Sequence, residues 1–225
     1  ALEIRQAAYE FERMKKRISR HLKQRSEMLS GISHDLRTPL TRLKLQLAFL
    51  KDKKIAEAMS DDVIEMEKML NEYLQFSKSQ FKENTETLNL DDLINETILQ
   101  YKNKNINYSN NIKIFINGRH NLLKRCLNNL IDNSLKFGNE VKIAVKKSIN
   151  NVVILVDDNG PGIPENETSN VIKPFYKIDK SRGKETSSVG LGLSIASDIV
   201  RSHGGNLTLE KSPQKGLRVK IVLPF

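Results

Sequence analysis

The feature that most constrains this chain is a pair of apolar seams at helical spacing, separated by four polar residues. Leu29, Ile32, Leu36, Leu40, Leu43, Leu47 and Leu50 recur at intervals of three and four, which places them on one face of an amphipathic helix. After Lys51-Asp52-Lys53-Lys54, a second series follows at Ala56, Met59, Val63, Met66, Leu70 and Tyr73. Two such helices joined by a tight polar turn form an αα-hairpin. One seam per helix makes a thin core, and pairing with a second copy as a four-helix bundle is the physical remedy. The hairpin therefore predicts a homodimer.

The polar stretch from Ser77 to Thr87 lacks periodicity and reads as a linker. Beyond it the pattern is mixed α/β. Ile112 to Ile116 alternates as a strand does, and Leu122 to Leu135 is helical. Val141 to Val145 and Val152 to Val156 are β-rich runs around a turn at Asn150-Asn151. A glycine-interrupted loop from Asp158 to Gly192 leads into a helix, Leu193 to Ser202, which His203-Gly204-Gly205 ends as a C-cap signal. Leu207 to Leu209 and Leu217 to Leu223 complete a hairpin.

Composition narrows the partners. Among 225 residues, 37 Lys plus Arg stand against 27 Asp plus Glu, a formal charge of +10, with seven basic residues and no acid from Arg13 to Arg25. On a helix such a run is a solvated face or a surface near anionic lipid. No zinc-finger, basic-zipper or RNA-binding aromatic signature accompanies it, so nucleic acid is not an expected partner. A single Cys excludes an intramolecular disulfide and a multi-thiolate zinc site, which makes a reducing cytoplasm the default. No run approaches the roughly 20 apolar residues that span a bilayer. The sequence opens at Ala1 in helix-like residues, as the cytoplasmic end of something longer would.

Chemistry-bearing residues lie on both parts. With Leu36 at zero and about 100° per residue, the seam stays within about 40° either side while His34 lies about 160° away. Thr38 shares that outward face, and Asp35 and Arg37 flank it. Pro39, inside the helical pattern, removes a backbone hydrogen bond and favours a bend. In the second part, Asn129 and Asn133 stand at i and i+4 on one helix face, and an amide oxygen suits the hard cation Mg²⁺. Asp157-Asp158-Asn159-Gly160-Pro161-Gly162-Ile163 reads either as a turn or as an adenine pocket, in which a carboxylate accepts from the exocyclic amine and glycines admit the base. Gly190-Leu191-Gly192-Leu193 opens a helix, where backbone N–H groups and the helix dipole suit phosphate. Between them Pro174-Phe175-Tyr176 is followed by Lys177, Lys180, Arg182 and Lys184, a basic loop that reads as a solvated segment or a lid over phosphates.

The string Ser33-His34-Asp35-Leu36-Arg37-Thr38-Pro39-Leu40 resembles the phosphoacceptor box of sensor histidine kinases. The four elements of the second part, in their order, resemble the N, first-glycine, F and second-glycine boxes of the GHKL ATPase fold. Together they resemble a two-component histidine kinase core over residues 10–225, and Arg20 to Leu43 is similar to the EnvZ-like branch. The resemblance implies an α+β chain: residues 1–25 as the trailing helix of a HAMP-like relay and 26–80 as a dimeric phosphotransfer hairpin. It continues with 81–87 as linker and 88–225 as a Bergerat-type α/β sandwich that binds ATP. It further implies His34 as nucleophile, Asp35 as base and Thr38 as the residue orienting water in a phosphatase reaction. Asn129 and Asn133 would flank Mg²⁺, with Asn133 a ligand and Asn129 also catalytic, and Lys136 would reach phosphate. Asp158 would read adenine, and Phe137, Gly160, Gly162, Lys177, Arg182, Gly190, Leu191, Gly192 and Leu193 would shape the nucleotide site. The implied partner is the receiver domain of a response regulator, and the implied location is the cytoplasmic portion of a bacterial inner-membrane sensor. A GHKL-type ATPase or clamp and a non-catalytic dimeric signalling module are the alternatives. The absence of a Glu between Leu122 and Leu135 weighs against the former, and intact His34, Asp35, Asn133 and Asp158 weigh against the latter.

Overall fold

The structure is a computed structural model that describes residues 2–50, 52–79, 83–110, 113–178 and 190–225; within α1 and α2 some side chains, His34 among them, lie outside the description. Two compact units divide the chain, Ala1–Lys82 and Glu83–Phe225.

The first unit is a helical hairpin, α1 (Leu2–Leu47) and α2 (Lys53–Ser79). Helix α1 continues uninterrupted through Pro39. The turn between the helices is closed by Asp52, whose carboxylate accepts from the backbone N–H groups of Lys54 and Ile55 at the start of α2. Leu47 and Val63 are buried where the helices meet, and Lys44 pairs with Glu67 across them. Other seam positions are not covered within one chain: Leu36 is 46% exposed, and Ile32, Leu43, Met59 and Met66 are exposed as well.

The second unit has a five-stranded sheet in the order β2-β4-β5-β7-β6 and a two-stranded sheet, β1-β3. The strands are β1 (Glu86–Asn89), β2 (Ile106–Tyr108), β3 (Phe115–Gly118), β4 (Val141–Lys147), β5 (Asn151–Asp158), β6 (Asn206–Lys211) and β7 (Leu217–Pro224). Helices α3 (Leu90–Ile98), α4 (His120–Phe137) and α5 (Gly192–Ser202) complete the unit. Strand β2 pairs parallel with β4, and the remaining pairs are antiparallel. Val152, Ile154, Val156, Val219, Ile221 and Leu223 point into the core. There they meet Leu127, Leu130 and Ile131 of α4 and Ile199 and Val200 of α5, which are also buried.

The structure departs from the sequence reading in three places. The strand expected at Ile112 to Ile116 is Phe115–Gly118, because Leu88 of β1 pairs with Ile116 and Glu86 with Gly118; Ile112 lies outside the described residues. The segment 81–87 gives its last two residues to β1, where Thr87 Oγ1 bonds Asn117 Oδ1 at 3.1 Å. Elements β1, α3 and β2 were not anticipated. Helix α3 starts where the Asn89 side chain accepts from Asp91 N, and it buries Leu90, Leu93, Ile94 and Thr97.

Candidate functional site

Three pieces of backbone converge at the C-terminal end of α4. Asp158 ends β5 and is 2% exposed. Its Oδ1 accepts from Gly160 N and from Leu217 N, each at 2.9 Å. Both backbone donors thus use one oxygen, and among the described residues no hydrogen bond is formed by Oδ2. A Cβ on Gly160 would lie 2.8 Å from the Phe137 carbonyl oxygen, so only glycine lets this loop close on the helix end. Gly162 turns the loop at φ +73°, in the left-handed region.

Two residues of this corner carried no role in the sequence reading. A Cβ on Gly216 would collide with Asp158 Oδ1 and with the Asp158 carbonyl oxygen, and would lie 2.6 Å from Gly160 N. Gly216 is therefore the residue that admits the Asp158 carboxylate. The sequence signal was a glycine directly before the last strand, which reads as a hairpin turn. Asn159 is the second: its Oδ1 accepts from Asn139 N at 2.9 Å and Glu140 N at 3.1 Å, while its Nδ2 donates to Asn139 Oδ1. That staple fixes the chain leaving α4 to the loop leaving β5.

Along α4, Asn129, Asn133, Lys136 and Phe137 fall on one face by their spacing. Asn129 Nδ2 is buried with no hydrogen-bond partner among the described residues. A buried donor without an acceptor costs about 1–3 kcal/mol, and here it fits an incoming phosphate oxygen. The start of α5 lies beside it, since a Cβ on Gly192 would be 3.8 Å from the Asn129 carbonyl oxygen and 4.0 Å from its Cβ. The ammonium of Lys136 sits over the exposed Phe137 ring, 5.3 Å from its centroid.

The second glycine loop is pinned at both ends. Phe175 N donates to the Gly190 carbonyl at 3.0 Å. Gly190 has φ +76°, and a Cβ there would be 2.9 Å from the Tyr176 carbonyl oxygen. Phe175 itself has φ +65°, a strained conformation for a non-glycine residue. Tyr176 hydroxyl donates to Glu167 Oε2 at 2.6 Å, which raises the tyrosine pKa, and Glu167 is lowered in turn. Leu191 and Leu193 are buried, and the Leu191 carbonyl accepts from Ile195 N and Ser194 Oγ in the first turn of α5. Lys177 is partly buried. Arg182 lies outside the described residues.

The structure thus gathers Asp158, Gly160, Gly162 and Phe137 at one corner, Asn129 and Gly192 at another, and Gly190 with the base of the loop. His34, Asp35 and Thr38 belong to α1 of the other unit; Asp35 and Thr38 are exposed. Among the described residues no group of three or more His, Cys, Asp or Glu could hold a metal. A cation in this site would need the amide oxygens and ligand oxygens, a donor set that suits Mg²⁺. Cys126 is a small buried residue with its thiol pushed up to about 12 by burial.

Residues 24–81 match the model of the His Kinase A (phospho-acceptor) domain, and residues 118–225 match that of the histidine kinase-, DNA gyrase B- and HSP90-like ATPase. The sensor histidine kinase GtrS of Pseudomonas aeruginosa is 35% identical over all of this chain, which covers 47% of GtrS. The sensor histidine kinase CpxA of Escherichia coli is 32% identical over 97% of the chain, covering 51% of CpxA. The chain thus spans about half the length of these relatives. The ATP-binding domain of PrrB from Mycobacterium tuberculosis aligns with 63% of the chain and 98% of its own length, at 26% identity and a TM-score of 0.53. The fold is also shared with full-length ShkA, solved with AMPPNP, at 19% identity and a TM-score of 0.64 over 89% of this chain and 46% of ShkA. The chain thus carries a phospho-acceptor domain followed by a histidine kinase-like ATPase domain, and along its length it is similar to sensor histidine kinases.

Proposed function

We propose that the chain uses ATP to phosphorylate its own His34 and passes the phosphoryl group to an aspartate of a response regulator's receiver domain. The observation that carries the nucleotide half is Asp158, a buried carboxylate with both backbone donors on Oδ1 and its other oxygen left to a ligand. That geometry suits the exocyclic amine of adenine. Asn129 and Asn133 would hold Mg²⁺ and phosphate oxygens, with Asn129 Nδ2 as the buried donor. Lys136, Phe137, Lys177 and Arg182 would lie around the nucleotide, and Gly190 to Leu193 would cradle the phosphates at the α5 N-terminus. When bound, Mg²⁺ neutralises charge on the triphosphate.

His34 supplies a neutral imidazole nitrogen as nucleophile. A nitrogen–phosphorus bond forms, the bond from the γ-phosphorus to the bridging oxygen breaks, ADP departs, and Asp35 takes the proton from the other ring nitrogen. In the second transfer a receiver carboxylate oxygen attacks the same phosphorus, the nitrogen–phosphorus bond breaks, and the His34 ring regains its proton from Asp35. Thr38, one turn from His34, orients water for the reverse duty of dephosphorylating the regulator.

The exposed seam residues Ile32, Leu36, Leu43, Met59 and Met66 support a homodimeric four-helix bundle, because a second copy would cover them. Residues 1–25, the first part of α1, would be the trailing helix of a HAMP-like relay, 26–80 the phosphotransfer hairpin, and the nucleotide-binding part would take in β1 from Glu86 onward. No helix among the described residues is long and apolar enough to cross a membrane. We place the chain on the cytoplasmic side of a bacterial inner-membrane sensor, held there by an upstream segment.

The test is incubation with γ-labelled ATP and Mg²⁺ beside His34→Gln, followed by acid and alkali treatment. Acid-labile, alkali-stable label that vanishes in the variant supports the proposal. Equal label in the variant refutes it.

A further inference from the structure

Helices α4 and α5 lie antiparallel, as three contacts along their length show. Gly192, at the start of α5, faces Asn129; Cys126 Sγ lies 3.8 Å from the Ala196 carbonyl oxygen; and the chain entering α4 at Arg119 meets His203 at the end of α5. The last contact is the most specific. His203 Nδ1 lies 2.7 Å from the Ile199 carbonyl oxygen, which can only accept, so Nδ1 carries the proton. Nε2 accepts from Arg119 N at 3.0 Å, with Arg119 Nε at 3.4 Å. The ring is therefore the neutral Nδ1–H tautomer. Arg119 also reaches the Ser202 carbonyl and hydroxyl, at 2.9 and 2.6 Å.

We propose that His203 is a positioning residue for nucleotide binding: in its neutral form it braces the end of α5 against the start of α4 and so sets the spacing between Gly192 and Asn129 at the other end of the pair. The proposal rests on the nucleotide reading above. Arg119 and Asn129 are ten residues apart, about 15 Å of helix, so a change in the angle of the two helices at the brace is carried to the site. A protonated ring would carry a proton on Nε2 and could no longer accept from Arg119 N. The charged groups facing the ring favour the neutral form on balance: burial and the Arg119 guanidinium lower its pKa, against the Ile199 carbonyl and the Glu83 carboxylate, which raise it. Glu83 belongs to the same corner, accepting from Asn121 N and Leu122 N to cap α4, whose N-cap residue Arg119 forms no side-chain capping bond of its own. Gly118 of β3 completes the enclosure, since a Cβ there would be 3.6 Å from His203 Cδ2.

The experiment titrates the full chain with Mg²⁺ and a non-hydrolysable ATP analogue at about pH 7.5 and pH 5.5, comparing native, His203→Gln and His203→Leu. Gln places an acceptor near Arg119 N without titrating, whereas Leu fills the volume and accepts nothing. His203→Leu is expected to weaken binding about fivefold or more at pH 7.5. His203→Gln is expected to match the native chain within about twofold there and to bind about threefold tighter than it at pH 5.5. The analogue's own titration affects all three chains alike. Native affinity in the Leu variant, or native and Gln chains weakening by the same factor on acidification, overturns the proposal; the second comparison stands even if the Leu variant fails to fold. A native chain that binds no analogue at pH 7.5 overturns the nucleotide reading itself.

Discussion

Gly216→Ala is the substitution for which the structure predicts the largest effect from the smallest change. The added methyl would meet Asp158 Oδ1, the Asp158 carbonyl oxygen and Gly160 N, all at distances too short for a Cβ. Two of these are backbone atoms, and the third accepts the bonds from Gly160 N and Leu217 N. Relief therefore requires moving β7 from β5 or expelling the carboxylate. Overpacking of this kind costs about 1–3 kcal/mol, and a hydrogen bond to a buried charged group contributes about 1.5–3 kcal/mol. Overpacking plus one lost bond gives roughly 3–5 kcal/mol, which for a unit of about 140 residues lowers Tm on the order of 10 °C. The matched control is Gly192→Ala, where the nearest atoms are at 3.8 and 4.0 Å. Ala at that helical position costs nothing in packing and gains up to about 1 kcal/mol of helix propensity. Urea unfolding followed by circular dichroism compares the two, with nucleotide titration in parallel. If Gly216→Ala keeps the native midpoint and affinity, or if the unfolding midpoint of Gly192→Ala falls as far, the argument from close approach is wrong.

Further outcomes follow from the same geometry. Asp158→Asn keeps an acceptor for Gly160 N and Leu217 N but can turn a donor toward the base, so calorimetry should show nucleotide affinity falling roughly 10- to 100-fold with little change in unfolding midpoint. Thr38→Ala should slow dephosphorylation of a phosphorylated regulator while leaving autophosphorylation intact, as gel assays of both reactions would show; equal loss of both would count against separate roles. The His203 pKa is lowered in the folded chain, so the unfolded state binds more protons as pH falls below about 6.5. Its contribution to stability is present above that value and lost as pH drops through the folded pKa, so denaturation midpoints should decline on acidification less steeply in His203→Gln than in the native chain.

What was legible in the sequence was local. The helical seams, α4, the β6–β7 hairpin and the end of α5 all announce themselves through periodicity or a glycine signal, and Gly204 does take a positive φ. Helix α3 was not anticipated, although Asn89 followed by Asp91 and Asp92 is an N-terminal signal, because its nine residues lie between strands of four and three residues, too short for alternation to show. Strand β2 exists because β4 pairs with it in parallel, and nothing within Ile106–Tyr108 specifies that partner. The site divides in the same way. Asp158 and the paired asparagines stood out as residue types, whereas Gly216 matters only because β7 returns beside β5. Glu83 caps a helix 38 residues away. Such roles are created by tertiary contact and have no local pattern to read.

The central claim is that nucleotide bound beside Asp158 phosphorylates one residue, His34. The most direct measurement is tandem mass spectrometry at neutral pH on the chain after incubation with ATP and Mg²⁺, since acid would discharge a phosphohistidine. The account predicts one phosphopeptide, modified at His34 and lost in Asp158→Asn. A phosphoryl group on another residue, or ATP hydrolysis with His34 unmodified, would contradict it.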